Sequence, residues 1–260
     1  MIDADYLRRT FGLEGRVALV TGAARGLGFA ISEALAKAGA HVVINDVGAQ
    51  AADDAVAALR DQGFSAEPAV FSVSDEAAAD AGVKAIIAKH GRLDIVVSNA
   101  GNQNRKPFHD YTRDEWDSLF DVHINGAFHV LRAALPSMQK NGFGRIVMMS
   151  SVASRASRGA ISLYATVKGG LASMTRALAV EYAGQGITVN ALAPGFMQTE
   201  FTTALQSNEE FQDYIKRDVP LGRWGKAEEL GPAVIYLTSQ AGDFVNGEVL
   251  TIDGGLLAKF

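Results

Sequence analysis

Tyr164 and Lys168 stand four positions apart in a stretch of helical period, so their side chains share one helix face. An ammonium beside a phenol favours the phenolate, which makes tyrosine usable as an acid/base nearer neutral pH. Ser151 lies thirteen residues before Tyr164, at the end of the apolar run that closes with Val147-Met148-Met149. At the carboxyl edge of an open sheet its hydroxyl can hold a substrate carbonyl or hydroxyl. A Tyr-x-x-x-Lys pair alone is a weak signal. It gains weight from Thr21-Gly22-Ala23-Ala24-Arg25-Gly26-Leu27-Gly28, which follows the first apolar run and opens a helical stretch. Glycines there allow a tight turn and leave helix N–H groups open to a pyrophosphate. The spacing Gly-x-x-x-Gly-x-Gly is neither the usual dinucleotide fingerprint nor a P-loop. Asp46 ends the second apolar run, eighteen residues after Gly28, where a carboxylate can accept from adenosine ribose hydroxyls. It would repel a 2′-phosphate, while Arg25 could pair with one. An unpaired carboxylate facing a phosphate costs more than an unused surface arginine, so NAD is expected, with NADP second.

These groups need a scaffold that brings strand ends together. Short apolar runs recur at 16–21, 41–46, 66–73, 94–98, 145–150, 188–192 and 249–252, and their nearly continuous apolar character suits strands covered on both faces. Helical patterns fall near 26–38, 50–62, 76–90, 113–141, 162–184 and 227–240. Alternating strand and helix predicts parallel βαβ units in a doubly wound α/β sheet of about seven strands. No linker or repeat divides the chain, which reads as one domain over 1–260. The polar, helical segment at about 199–225 breaks the rhythm and reads either as a lid over the crevice or as a surface helical pair.

Composition narrows the function. The 260 residues are 48% hydrophobic and 20% charged, with a net charge of −5, which permits a substantial core and gives no signature of disorder. The absence of a basic stripe argues against nucleic acid or an anionic membrane as partner. Zero cysteine removes disulfides and thiolate metal sites, and the five histidines form no His-Glu-x-x-His pair, so no metal site is expected. No signal peptide or run long enough for a membrane span is visible; the expected location is the cytoplasm.

The chain resembles the short-chain dehydrogenase/reductases over nearly its whole length. The resemblance rests on TGAARGLG, Asn99-Ala100-Gly101, Ser151, Tyr164-x-x-x-Lys168, Val189-Asn190 and Pro194-Gly195-x-x-x-Thr199. It implies a Rossmann-type fold, Tyr164 as general acid/base, Lys168 lowering its pKa and holding the nicotinamide ribose, and Ser151 on the reacting oxygen. Thr199 would meet the carboxamide, and Asn99 would seat the adenine-side ribose and strand four. Pro194 and Gly195 join the cofactor set, and a homotetramer is implied. Ser98 replaces the family's first Asn in Asn-Asn-Ala-Gly. Ser72 stands where an adenine-binding Asp or Asn is common, so that contact is expected either to be missing or to lie with backbone, and Val73 joins the cofactor set. His123 stands where the family's helix-four Asn holds a water, and imidazole can also bind a water and relay a proton.

For the substrate, Arg105 and Lys106 lie near the expected mouth, either as a carboxylate clamp or as a solvated pair. Similar residues occur in members acting on sugar acids, such as gluconate 5-dehydrogenases. The alternatives are a 3-oxoacyl thioester reductase and a non-catalytic NAD-binding sensor or scaffold. Phe11, Trp116, Phe120 and Phe128 are expected in core or interface, Met148 and Met149 in core, and Trp224 either packed or capping the pocket.

Overall fold

The computed structural model describes residues 3–259. A short helix α1 (Ala4–Phe11) precedes the alternation β1 (Val17–Thr21), α2 (Gly26–Lys37), β2 (His41–Asp46), α3 (Ala49–Asp61), β3 (Ala66–Val70), α4 (Glu76–His90) and β4 (Ile95–Ser98). The second half runs α5 (Arg113–Phe120), α6 (Gly126–Asn141), β5 (Gly144–Met149), α7 (Ser162–Tyr182) and β6 (Ile187–Pro194). Then follow β7 (Met197–Gln198), α8 (Thr203–Gln206), α9 (Glu209–Asp218), β8 (Gly225–Lys226), α10 (Gly231–Thr238) and β9 (Val249–Ile252).

Seven strands form one sheet in the order β3-β2-β1-β4-β5-β6-β9, every pair parallel. Strands β1, β4, β5 and β6 are buried at every residue, because helices cover both faces and leave no polar side to alternate with. Apolar residues of α2, α3 and α10 pack on one face, and those of α4, α6 and α7 on the other. The chain moves outward from β1 in one direction, then returns to β4 and proceeds in the other. The crevice at the carboxyl ends of β1 and β4 is therefore the switch point where open-sheet ligands bind.

Three boundaries differ from the sequence expectation, and α1 lay outside it. β3 ends at Val70, not Val73, because Asp75 caps α4 through the Ala78 N–H (3.0 Å) and the intervening residues turn toward that cap. The expected helix 113–141 is interrupted by a π-helical turn at Asp121–Asn125, an insertion that re-aims side chains and is common at functional sites. The helical pattern from 227 begins as a 3-10 turn and becomes α-helical at Gly231.

The β1–α2 turn is closed by backbone packing. Gly22 and Gly26 have φ of +59° and +60°, where a side chain is strained. A Cβ on Gly28 would lie 2.4 Å from the Gly22 carbonyl oxygen and 2.6 Å from Asn99 Nδ2. Gly28→Ala is expected to destabilise the fold by about 1–3 kcal/mol through overpacking. Gly184→Ala, where nothing lies within 4 Å, should stay within about 0.5 kcal/mol. Denaturant midpoints of the two variants check the contrast.

Candidate active site

All the site residues named from the sequence line a single cavity of about 890 Å³ at the carboxyl edge of the sheet. Its floor is the β1–α2 turn. Arg25, the N-cap of α2, makes no side-chain cap hydrogen bond, so the first N–H groups of the helix lack a side-chain partner and meet the cavity. An uncapped helix start of this kind fits the pyrophosphate of a dinucleotide. Asn99 holds the turn from β4: its Nδ2 donates to the carbonyls of Thr21 and Gly22, both at 2.9 Å. The backbone N–H groups of Asn99 and Ala100 both donate to Thr21 Oγ1 at 3.0 Å. The Asn99 amide is thus committed to the turn, a positioning role at this site.

Asp46 ends β2 with its carboxylate accepting from three backbone N–H groups, those of Val47 (2.9 Å), Gly48 (3.3 Å) and Ala24 (3.4 Å). The Arg25 guanidinium stands largely in solvent, with Glu200 at 3.7 Å as its ion-pair partner. Val73 is buried in the cavity wall against α6, while Ser72 Oγ is engaged with Ser74 Oγ at 2.8 Å. Thr199 faces the glycine turn, its Cγ2 3.9 Å from where a Cβ on Gly26 would stand. Pro194 and Gly195 end β6, and the Gly195 N–H donates to the Ile252 carbonyl (2.9 Å). Asn190 is explained by the same region: its side chain ties β6 to the Val245 carbonyl (2.8 Å) and the Glu248 N–H (3.0 Å).

The reacting hydroxyls sit above this floor. Ser151 Oγ accepts from the Ala153 N–H at 3.1 Å, which leaves its own proton to donate into the cavity. Tyr164, in the first turn of α7, has its phenol pKa raised, first by burial; a hydrogen bond to Ser151 and the charge of Arg105 act in the opposite sense. Lys168, one turn on, is fully enclosed and donates from Nζ to the Met149 carbonyl at 2.6 Å. The Ser150 hydroxyl donates back to the Lys168 carbonyl at 3.0 Å, so β5 and α7 are latched in both directions. Burial brings the ammonium down to about 7. Burial is the foremost influence on both groups, Arg105 is a further cation acting on the phenol, and the Lys168 ammonium lies 5.4 Å from the Tyr164 ring centroid.

His123 sits in the π-helical turn, buried, with its ring edge-on to Tyr164 and centroids 6.1 Å apart. Its Nε2 lies 2.9 Å from the Asn102 carbonyl, and Nδ1 has no hydrogen-bond partner. Burial, and then the charge of Lys168, push its pKa down to about 3. It is a neutral imidazole whose Nε2 also stands 3.2 Å from the Asn102 N–H, so the tautomer decides whether Nδ1 offers a proton or a lone pair. Asn125, one of the two Asn/His positions of this turn, faces outward and donates to Asp121 Oδ1 (2.7 Å).

The two cations near the mouth separate. Lys106 turns away to Glu115, 2.5 Å from its carboxylate, and takes a structural part. Arg105 lines the cavity, and among the described residues its side chain bonds only Gln103 Oε1 (2.9 Å). Arg158, which the sequence reading did not single out, faces the same cavity, its guanidinium carbon 4.8 Å from the Phe211 ring centroid and 5.6 Å from that of Phe196. Its signal was available: it is a cation in the segment between Ser151 and Tyr164. The lining also includes Phe196, Phe201, Leu205 and Tyr214. Trp224 is packed: it is buried among Phe196 and Phe211 and donates to Gln212 Oε1 at 3.1 Å.

Comparison with known proteins agrees with this geometry. A family model described as enoyl-(acyl carrier protein) reductase matches residues 22–257. Gluconate 5-dehydrogenase of Gluconobacter oxydans (strain 621H) is 41% identical over 95% of this chain and 96% of its own length. The crystal structure of a gluconate 5-dehydrogenase from Burkholderia cenocepacia J2315 in complex with NADP and tartrate superposes with a TM-score of 0.94 at 40% identity, covering 97% of this chain and 99% of that one. A 3-oxoacyl-(acyl-carrier-protein) reductase of Thermotoga maritima is 36% identical over 94% of this chain and 99% of its own. A glycine turn at the switch point, paired hydroxyls beside an enclosed lysine and these relatives lead to one conclusion: the chain belongs to the short-chain dehydrogenase/reductase family and is an oxidoreductase that acts on CH–OH groups with a nicotinamide cofactor.

Proposed function

We propose that the protein oxidises and forms a secondary hydroxyl of a sugar acid, in the manner of a gluconate 5-dehydrogenase. One observation carries the substrate class. Arg105 and Arg158 share the cavity wall with Tyr164; burial lowers the pKa of both, and the charge of Arg158 lowers that of Arg105 further, and among the described residues neither has a carboxylate partner. Two uncompensated guanidiniums in one partly desolvated pocket are stable when an anion joins them. A substrate carboxylate supplies that charge. A 3-oxoacyl thioester offers none beside its reacting ketone, and a non-catalytic binder of NAD has no use for Ser151, Tyr164 and Lys168 together.

The nicotinamide cofactor, when bound, accepts or supplies the hydride. The α2 N-terminus with Gly26, Leu27 and Gly28 holds its phosphates, and Thr199, Pro194 and Gly195 close the far wall. In oxidation, Tyr164 as phenolate takes the hydroxyl proton, and the Ser151 proton bonds the carbonyl oxygen as it forms. Arg105 fixes the substrate carboxylate and also favours the phenolate. Lys168, anchored on Met149, completes the positive field. His123 acts by holding a water at Nδ1, which has no protein partner, and thereby orders solvent leading to Lys168. The chain works as one domain, with the segment 199–225 as its lid. Exposed Phe128 and Val180 on α6 and α7 support a homotetramer built on those helices, which a mass measurement in solution reads.

For the cofactor, Asp46 supports NAD(H) through the ribose hydroxyls, and exposed Arg25 leaves room for NADP(H) as a second choice. The measurement is the ratio of kcat/KM for the two. A ratio above one that falls at least tenfold in Asp46→Ala supports this reading, and a ratio below one refutes it.

Initial rates across sugar acids, matching polyols and a 3-oxoacyl thioester test the substrate. Activity should be confined to sugar acids and fall by about 10²–10⁴ in Tyr164→Phe. Arg105→Ala and Arg158→Ala should each raise KM for the acid by roughly 10- to 100-fold, the loss of a charged hydrogen bond; Arg158→Ala should leave any polyol turnover unchanged, whereas Arg105→Ala should also lower it, because Arg105 favours the phenolate. Rates on the thioester alone would establish the alternative.

The pH dependence follows from the same groups. Oxidation needs the deprotonated form of the Tyr164–Lys168 unit, so its rate climbs with rising pH; reduction needs the proton and falls. His123, held near 3, adds no limb between pH 5 and 8. His123→Ala should lower kcat more than cofactor affinity, with the profile's midpoint unmoved. A second limb that disappears in His123→Ala would show imidazolium chemistry instead.

A further inference from the structure

A second group of ionisable side chains lies at the opposite edge of the sheet, where β2 and β3 begin and α4 ends. His41 opens β2, Glu67 is on β3 and His90 is the last residue of α4. One ligand atom from each falls within 4.8 Å of the others. His90 Nε2 is 2.8 Å from Glu67 Oε1, and His41 Nε2 is 3.7 Å from Glu67 Oε2. The rings of His41 and His90 lie 4.6 Å apart by their centroids. A tetrahedral ion with bonds near 2.05 Å places its ligand atoms on the order of 3.3 Å apart, within the spread of these distances.

The protein alone does not satisfy this cluster. Glu67 has the Lys89 ammonium and His90 as partners, but His41 Nε2 is a buried atom with none. His41 Nδ1 is engaged with Ser65 Oγ at 2.7 Å. In the tautomer with Nδ1–H donating to Ser65, Nε2 turns a lone pair toward the Glu67 carboxylate, an arrangement that a cation between them makes favourable. Ser65 is then the outer partner that fixes the ring and its tautomer, as metal-bound histidines require. The three side chains remain partly open to solvent, at 23%, 11% and 19% exposure, so a water can complete the shell. Lys89 is the competing cation; its side chain is 64% exposed and free to swing into water.

We propose that His41, Glu67 and His90 bind a divalent transition-metal ion of the zinc class, with water as fourth ligand. Two imidazoles and a carboxylate suit Zn²⁺ and its Irving–Williams neighbours and disfavour Mg²⁺ and Ca²⁺. The ion joins β2, β3 and α4. It takes no part in hydride transfer, since the length of β2, roughly 17 Å, separates His41 from Asp46 at the cofactor end.

The test is calorimetric titration of chelator-treated protein with Zn²⁺ alone, beside thermal melts. Wild type should bind one equivalent at this site and melt several degrees higher with Zn²⁺. His41→Gln and His90→Gln should each lose more than about tenfold in affinity while retaining turnover, and Ser65→Ala about tenfold. Lys89→Ala should bind more tightly, because a competing cation is gone; a plain ion-pair cluster would only be weakened by that change. No saturable binding by wild type, or binding indifferent to both glutamine variants, overturns the proposal. If a glutamine variant does not fold, the opposite shifts expected of Ser65→Ala and Lys89→Ala decide, and no shift in either refutes the site.

Discussion

The enclosed ammonium of Lys168 is the constraint on which the rest of the site depends. An isolated buried charge is costly, and this one has a single hydrogen bond, to the Met149 carbonyl. That carbonyl is free because β5 ends there, and the Ser150 hydroxyl returns a bond to the backbone of Lys168. The end of the strand and the start of α7 are therefore fixed relative to each other by polar bonds that water cannot replace. Ser151 follows the strand end by necessity, and Tyr164 precedes Lys168 by one helical turn. Fixing one ammonium fixes both hydroxyls. The same burial makes the group easy to deprotonate, which ties proton transfer at Tyr164 to the charge state of its neighbours.

The strands were legible because a parallel sheet covered on both faces demands continuous apolar runs, and those in the centre, from Val17–Thr21 to Ile187–Pro194, are buried throughout. The edge strand was read too long: β3 is half exposed beyond Ala66, so apolar character no longer marks its end and the Asp75 cap decides. The π-helical turn at Asp121–Asn125 leaves no periodic trace, since one extra residue only shifts the phase of an amphipathic helix. Of the site, the motif residues were readable because backbone geometry restricts their type. Glycine is needed at positive φ, and a lysine is needed where α7 meets β5. Arg158 was missed for the converse reason. It lies in an irregular loop where spacing carries no phase information, and its meaning comes from Phe196 and Phe211, distant in sequence and brought beneath it by the fold.

The two ends of the sheet are used differently. At the carboxyl edge, β1, β4, β5 and β6 converge on a cavity with an uncapped helix N-terminus and backbone donors. At the amino edge, the peripheral strands β2 and β3 present His41 and Glu67 to the end of α4. Strand β2 belongs to both, with Asp46 at one end and His41 at the other. It pairs with β1 from His41 to Asn45, and the Asn45 side chain bonds the carbonyls of Ala69 and Phe71 at 2.9 and 3.0 Å. Its position in the sheet is set independently of either ligand.

Charge explains why this cavity selects acids. The chain carries a net charge of −5, yet Lys168, Arg105 and Arg158 face one partly desolvated space. Lys106, adjacent in sequence to Arg105, is neutralised by Glu115, so the absence of such a partner for Arg105 is a property of the site and not of the region. Arg158 lies over two aromatic rings, which lowers the entropy lost on binding because the guanidinium plane is already oriented. Burial alone would keep the Tyr164 phenol protonated. On the proposed reading, Arg105 both receives the substrate carboxylate and favours the phenolate, and binding of the acid would partly neutralise it just as Tyr164 must act. On that reading the second guanidinium resolves the conflict: with Arg158 sharing the carboxylate, Arg105 would retain positive field to support the phenolate.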